Sequence, residues 1–499
     1  MASINNKASV LAVKKEVTEN VLVNPTASTD YVALQEGFSI SPQFDELTSA
    51  ELKNSIGAGE TILGNENPTA SFDHYIRSSG VEGQEPDYGK VLESVFGAKS
   101  VPVDEYAVAA GSTDSIIVVG SGEGVNFERG QCLLVKDGAN KYSMRNVLSV
   151  SGDDLTLAQK LPIAPSSIGI GLGQAILYKP ANDSHPSLSL MVFRGNGGAI
   201  EAMSGSKISE FSMSAESGQF VNGSFSVEGS GYYFNPMTVS ASNKFLDFSD
   251  GSVKSVSLAE KTYKDPNDLA AALEAAMNSA TTGITVIYSS SNGKFTISKD
   301  SGTLSLLWDT GVNGANSIGQ LLGFNTDFDD TGSLSYVADG AISLVSPQAP
   351  AFDAASPLVA KNNEVMLGGF NDVTCFGART VNFTLSNTVT AIPDLCEESG
   401  IEGKIITGRE VSIDVVALLN KYDVSKFTSF REGSNVSFTY NFGEKSGGNW
   451  VAGKCANLFV PTAKISSFSV DDGDGLAILN MTIKAYVADG LGECYLNFV

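Results

Sequence analysis

Three short blocks of this sequence occur twice in the same order, and no other feature restricts the possible folds as much. Phe38-Ser39-Ile40-Ser41 returns as Phe383-Thr384-Leu385-Ser386, Gly59 to Gly64 returns as Gly403 to Gly408, and Lys207 to Ser212 returns as Lys464 to Ser469. The offsets are 345, 344 and 257 residues, so the first copy holds 87 residues that the second lacks. The outer blocks alternate apolar and hydroxyl-bearing residues, the pattern of a half-buried strand. The chain thus reads as two copies of one unit, with additions.

Both copies continue past the third block as a hairpin. In copy one, Phe211, Met213 and Ala215 alternate with Ser212 and Ser214. After a Glu216-Ser217-Gly218 turn, Val221, Gly223, Phe225 and Val227 alternate with Asn222, Ser224 and Ser226. Copy two turns at Asp471 to Gly475, and Leu479, Met481, Ile483, Ala485 and Val487 form its apolar return face, one residue out of step with copy one. A helix lies between the early and late strands. Asp87 is placed to cap it, Tyr88, Val91, Leu92, Val95 and Phe96 share one face, and Gly97 ends it. Copy two has a weaker counterpart at Val424, Phe427 and Phe430 before Gly433.

Two modules interrupt this plan. Short strands at Ser115 to Val119, Cys132 to Lys136 and Leu155 to Ala158, spaced by Gly and Asp turns, predict a small β-barrel over 98–180. Over 240–340, Asp265-Pro266 opens a helix with Leu269, Leu273 and Met277 on one face, and Ile284 to Tyr288 and Lys294 to Ser298 flank an Asn292-Gly293 turn. A further helical turn is expected at Ser317 to Leu322. The remaining divisions are a polar arm over 1–35 that orders against a neighbour, a first repeated domain at 36–97 with 181–239, and a second at 341–499. The expected fold class is mainly β (α+β): two β-sandwich domains, each with a flanking helix, plus the inserted barrel and the inserted α+β domain.

Little in the chain supports catalysis or metal binding. His74 and His185 are the two histidines, neither beside a Cys or carboxylate cluster of metal-ligand spacing, and no nucleophile elbow accompanies them. The runs Gly120 to Gly124 and Gly169 to Gly173 lack the Gly-Lys-Ser/Thr ending of a phosphate loop, and read as turns. Acidic loops at Asp327 to Asp330 and Asp471 to Asp474 lack the spacing of a calcium loop. Cys132, Cys375, Cys396, Cys455 and Cys494 are odd in number and scattered, and read as reduced thiols, mostly packed as small apolar groups. No catalytic residue, metal or cofactor is expected. With 32 basic and 56 acidic residues, a formal net charge of -24, the surface repels DNA rather than gripping it. No segment has the length of a membrane span, and synthesis in a cytoplasm is expected.

The Gly57 to Gly64 segment, the Asp87 to Gly97 helix and Lys207 to Gly229 resemble the major tail tube proteins of long-tailed bacteriophages. That resemblance implies a β-sandwich whose strands join those of neighbours in a ring, with rings stacked into a hollow tube through which DNA passes during ejection. Two fused tube domains imply trimeric, pseudo-sixfold rings in the virion tail, assembled in the host cytoplasm. The implied partners are further copies of the chain, the tape measure, terminator and tail-tip proteins, and DNA in transit, with no membrane. The two inserted modules are expected outside the tube. The inter-subunit or lumen surface is assigned to the late hairpins through Phe211, Met213, Val221, Phe225 and Val227, and through Phe468, Val470, Leu479, Met481 and Ile483. The competing reading is a tail-tip, fibre or surface adhesin that binds cell-surface glycans. A glycan-cleaving enzyme is third, since no carboxylate pair stands out.

Overall fold

The computed structural model describes residues 4–49, 51, 60–101, 106–137, 141–165, 171–195, 198–347, 349–353, 355–369, 375, 377–420, 424–473, 475–488 and 490–499. Gly57 to Gly59, Gly169, Ile170 and Asp474 lie outside the described residues. The fold is mainly β. At its centre are eight strands: β1 (Ser39–Ser41), β2 (Thr69–Tyr75), β3 (Ala199–Glu216), β4 (Asn222–Glu228), β5 (Ala378–Pro393), β6 (Ile401–Leu418), β7 (Asn449–Gly473) and β8 (Leu476–Ala485). They pair antiparallel in the spatial order β1–β2–β4–β3–β5–β6–β8–β7. The first four come from the first copy and the last four from the second, and the seam between them is the β3–β5 pair.

The two sets of four share one pairing register. In the first, Phe72 pairs with Phe225, which pairs with Phe211; in the second, Val415 pairs with Met481, which pairs with Phe468. Both long strands also break register just after an isoleucine, Ile208 in β3 and Ile465 in β7. The return strands are displaced by one residue, as the hairpin patterns suggest: Phe211 and Phe468 differ by 257 positions, Phe225 and Met481 by 256. The early strands differ from the sequence match. Ser39 pairs with Ser71 as Asn382 pairs with Asp414, so Ser39 holds the place of Asn382, not Thr384. The slip is two residues, which leaves every side chain on its original face.

Burial follows the alternation. Ile40, Phe72, Phe211, Met213, Phe225, Phe383, Leu385, Val415, Met481 and Ile483 enter one apolar core spanning both copies. Helix α1 (Gly89–Phe96) lies on it with Val91, Leu92, Val95 and Phe96 buried. Gly97 ends it at φ 98°, where a side chain would also meet Ala181 and His185 at 2.8–2.9 Å. Asp87 does not cap α1. Tyr88 is the N-cap residue, without a side-chain bond, because the Asp87 amide donates to Asp353 Oδ2 at 2.8 Å and its carboxyl points inward.

The 1–35 segment also differs from expectation. Val10–Lys15 is a strand paired with Leu188–Arg194 and Tyr31–Val32, and Leu11, Ala12, Val13, Tyr31 and Val32 are buried in the same chain. An apolar Val10-Leu11-Ala12-Val13 run inside a polar segment is enough to dock it.

Within the first insertion, six strands pair in the order Tyr106–Ala107, Gly171–Gln174, Cys132–Lys136, Tyr142–Ser151, Asp154–Leu157, Ile116–Val118. A bond from the Ala109 amide to Val118 O at 2.7 Å joins the two ends. The flanking strands Gly97–Ser100 and Ile176–Pro180 pair with each other in the main sheet instead. The second insertion folds around its own core of Leu246, Phe248, Leu269, Leu273, Met277, Phe295, Ile297 and Trp308. Its helix α2 (Pro266–Ala280) is capped by the Asp265 carboxylate, which accepts from Asn267 N at 2.6 Å and Asp268 N at 3.0 Å. The short helix α3 (Gly319–Leu322) stops at Gly323. In the second copy, α4 (Ser425–Glu432) ends at Gly433, and Phe427 and Phe430 lie against Phe468 of β7.

Candidate assembly surface

The late hairpins lie in the eight-stranded ladder, but most of the ten side chains assigned to contact or lumen are core. Phe211, Met213, Val221, Phe225, Val227, Met481 and Ile483 are 0–2% exposed and Leu479 is 7% exposed. Their apolar alternation marks the face turned away from solvent, so the surface belongs to the residues between them. Phe211 stacks on Phe225 at 4.9 Å and meets Phe383 edge-on at 6.0 Å, across the seam between the copies. The first hairpin therefore has partners on both sides within one chain: β4 pairs with β2 and β3 pairs with β5.

What the ladder presents outward is a polar face. It carries Ser39, Ser71, Ser212, Ser214, Ser224, Ser226, Asn382, Thr384, Ser412, Asp414, Ser469 and Thr482. The rows are cross-linked by hydroxyl and amide groups: Ser39 Oγ and Ser71 Oγ are 2.8 Å apart, Ser214 Oγ donates to Asn382 Oδ1 at 2.7 Å, and Thr482 Oγ1 donates to Asp414 Oδ1 at 2.6 Å.

Among the described residues, the two ends of the ladder are open. Among the described residues, β1 pairs only with β2, and the Lys464–Gly473 half of β7 pairs only with β8. At this second end, Val470 is 48% exposed and Phe468 is half-buried. The other half of β7 is covered by Val436–Ser446 and Tyr495–Phe498.

The titratable groups are structural. His74 Nδ1 donates to Ala33 O at 2.6 Å and Nε2 lies 3.7 Å from Asp87 Oδ1. Burial pushes His74 down to about 4 and Asp87 up to about 6, the latter helped by the neighbouring Asp353 carboxylate, so His74 is neutral at pH 7. His185 lies between Ser94 O at 2.9 Å and Ala181 O at 3.2 Å, where burial holds its pKa below the ordinary value. The acidic loops tie turns together: Asp329 accepts from the Asp309 and Thr310 amides, Asp330 from Trp308 Nε1, and Asp472 from the Gly475 amide. Among the described residues no group of three His, Cys, Asp or Glu is placed to hold a metal, and no helix is long and apolar enough to cross a membrane. Cys132, Cys455 and Cys494 are buried, and burial raises their thiol pKa values, that of Cys455 to about 12. Cys375 and Cys396 are exposed.

Sequence reasoning also missed how the small barrel is held. Asn146, Asn441, Asn457 and Asn497 are fully buried between it and the second copy. Asn457 makes four bonds: Nδ2 donates to Asn146 Oδ1 at 3.1 Å and Asn441 Oδ1 at 2.6 Å, while Oδ1 accepts from Asn146 at 2.8 Å and Asn497 at 3.0 Å.

A family model described as "Phage tail tube protein" matches residues 6–260, just over half of the chain. The chain belongs to the phage tail tube protein family. It is thus a structural component of a phage-type tail, in a family that is not one of enzymes. The matched span takes in β1 to β4, α1 and the small barrel, and the ladder register extends the same plan to β5–β8. No curated protein matches the chain in sequence. Among solved structures, a chain of the "Virion of native gene transfer agent (GTA) particle" is 13% identical, covering 25% of this tail tube protein and 92% of that chain at a TM-score of 0.19. A DUF4466 family protein from Parabacteroides merdae is 8% identical, covering 92% and 98% at a TM-score of 0.06.

Proposed function

We propose that the chain contains two tube units, 36–97 with 181–239 and 341–499, and that its ladder joins those of identical neighbours into a closed ring. Three copies would supply about 24 strands and pseudo-sixfold symmetry, and a barrel well above the 16–18 strands that already leave an aqueous channel is hollow. Stacked rings would form a conduit for DNA ejection, meeting the tape measure, terminator and tail-tip proteins, with both insertions on the outside.

The observation that carries this reading is the continuous ladder, with one face in an apolar core, the other polar, and both ends open. Closure removes edges that a lone chain leaves exposed. The lining would be mainly hydroxyl and amide groups, with Lys484, which is paired to Glu410, and its neighbour Lys464 as cations on the same face, in a chain of net charge -24.

Electron cryomicroscopy of the concentrated protein tests this. Hollow filaments of threefold rings are expected. Sixfold rings of whole chains would remove the two-unit reading, and discrete particles that bind bacteria and never polymerise would replace the tube by an adhesin.

A further inference from the structure

The β3–β5 seam inside the chain pairs two strands whose equivalents, β7 and β1, stand at the two ends of the ladder. The inference drawn from this rests on the ring proposed above and specifies which strands meet and in what register. β3 and β7 occupy equivalent positions, with the same hairpin register and the same break after an isoleucine. β3 is covered on its second side by β5, while the equivalent stretch of β7 has no partner on that side among the described residues. β5 in turn has its equivalent in β1, whose outer side has no partner among the described residues.

Burial gives an independent indication that something belongs there. Met213 of β3 is 1% exposed because Phe383 of β5 is its ladder partner, and its counterpart on β7, Val470, is 48% exposed. Phe211 is 0% exposed beside Leu385, while its counterpart Phe468 is half-buried. The difference between equivalent positions is the missing neighbour strand.

We infer that the Lys464–Gly473 edge of β7 receives β1 of a second copy, antiparallel, in the register that β3 and β5 use within one chain. The in-chain pairs are Ser212 with Thr384, Met213 with Phe383 and Ser214 with Asn382. Carried over, Ser469 faces Ser41 of the second copy, Val470 faces its Ile40, and Asp471 faces its Ser39. Val470 is then covered, and the Ser214–Asn382 hydrogen bond has its counterpart in Asp471 accepting from the Ser39 hydroxyl. Because the two surfaces differ, the contact is head-to-tail and closes into a ring or winds into a filament.

The test uses the full chain with exposed Cys375 and Cys396 replaced by Ser, carrying Ser41→Cys with Ser469→Cys, or Ser39→Cys with Ser469→Cys. Both are treated with a short thiol cross-linker after assembly is confirmed by electron microscopy. Facing residues in this geometry have Cβ atoms about 4.5–5.5 Å apart. Covalent dimers and closed trimers are expected from the Ser41/Ser469 pair and at least fivefold less from the Ser39/Ser469 pair. Preferential linking of Ser39 with Ser469 overturns the register, and rings or tubes that link in neither variant overturn the edge assignment. Failure of the untreated parent chain to form any ring or tube rejects the ring itself. A second variant, Val470→Asp, should keep the parent's melting temperature and lower the assembled fraction at least tenfold; undiminished assembly overturns the proposal.

Discussion

Asn457→Ala removes four hydrogen bonds from a site that water does not reach, and its cost is calculable from the partners left behind. Asn146 Nδ2 and Asn497 Nδ2 each keep a bond to Gly130 O, at 3.1 and 3.2 Å. Asn441 Nδ2 keeps Met144 O at 3.3 Å. Two carbonyl oxygens, Asn146 Oδ1 and Asn441 Oδ1, lose their donor. At ~1–3 kcal/mol for each buried unsatisfied group, the orphaned acceptors alone cost ~2–6 kcal/mol. Because the four residues join the small barrel to the second copy, the loss should appear in both. Denaturant unfolding gives the magnitude, and hydrogen exchange read on the strands Cys132–Lys136, Tyr142–Ser151 and Tyr495–Phe498 gives the location. The Asn146→Ala/Asn457→Ala double variant should cost less than the sum of the single changes, with a coupling of ~0.5–3 kcal/mol, since the second change removes an acceptor already orphaned. A single-variant loss below ~1 kcal/mol, or strict additivity, would refute the account of a dry, mutually satisfied cluster.

Three further outcomes follow from other sites. Phe211→Ala at the seam, where Phe225 and Phe383 contact the ring, should cost ~3–5 kcal/mol in denaturant unfolding. Asp265→Ala removes the cap of α2 and should cost ~1 kcal/mol in the unfolding of the second insertion, with Asp265→Asn much milder. Asp87 has its pKa raised to about 6, so its contribution is complete below the ordinary carboxylate value and is lost as pH rises through 6. Asp87→Asn should therefore stabilise the chain by ~1.4 kcal/mol more at pH 8 than at pH 5, and equal shifts at the two pH values would count against it. His74 runs the opposite way: its pKa is lowered to about 4, so its contribution is lost as pH falls from its ordinary value toward 4, in both parent and variant.

The legible parts of this fold were those with local signals. Asp265-Pro266 and Asn292-Gly293 each fix a backbone conformation by their own chemistry, and α2 and the 284–299 hairpin stand where those residues put them. The repeat was legible as blocks but not in its final register. An alternating strand matches itself equally well after a slip of two, and only the pairing of Ser39 with Ser71 against that of Asn382 with Asp414 decides the alignment. Asp87 was misread because an acid before a helix normally caps it, and nothing local reveals that Asp353 takes its amide. The asparagine cluster left no local trace, since Asn146 and Asn457 are 311 positions apart and each reads alone as a surface polar residue. For the proposed assembly surface, alternation picked out side chains that are mostly core: apolar residues identify the buried face, and an open edge is a property of pairing that composition does not show.

The two joints that a ring of these chains would contain are unequal, and the inequality has a direction. Inside the chain the seam pairs Met213 with Phe383 and packs Phe211 edge-on against Phe383, with helix α1 and both copies sharing one core behind it. Between chains the corresponding row would be Val470 against Ile40, smaller side chains that bury less apolar surface, and a three-residue β1 in place of the stretch Thr380 to Ser386 through which β5 pairs with β3. The in-chain seam forms during folding without loss of translational freedom, whereas the joint between chains has to recover that loss from less contact. A ring built this way should come apart into whole chains, never into half-chains, and its closure should depend on protein concentration while the β3–β5 seam does not. In the proposed ring, fusion of the two copies would make half of the joints permanent and leave the other half to respond to concentration, which would keep the folded subunit separate from the tube until enough of it had accumulated.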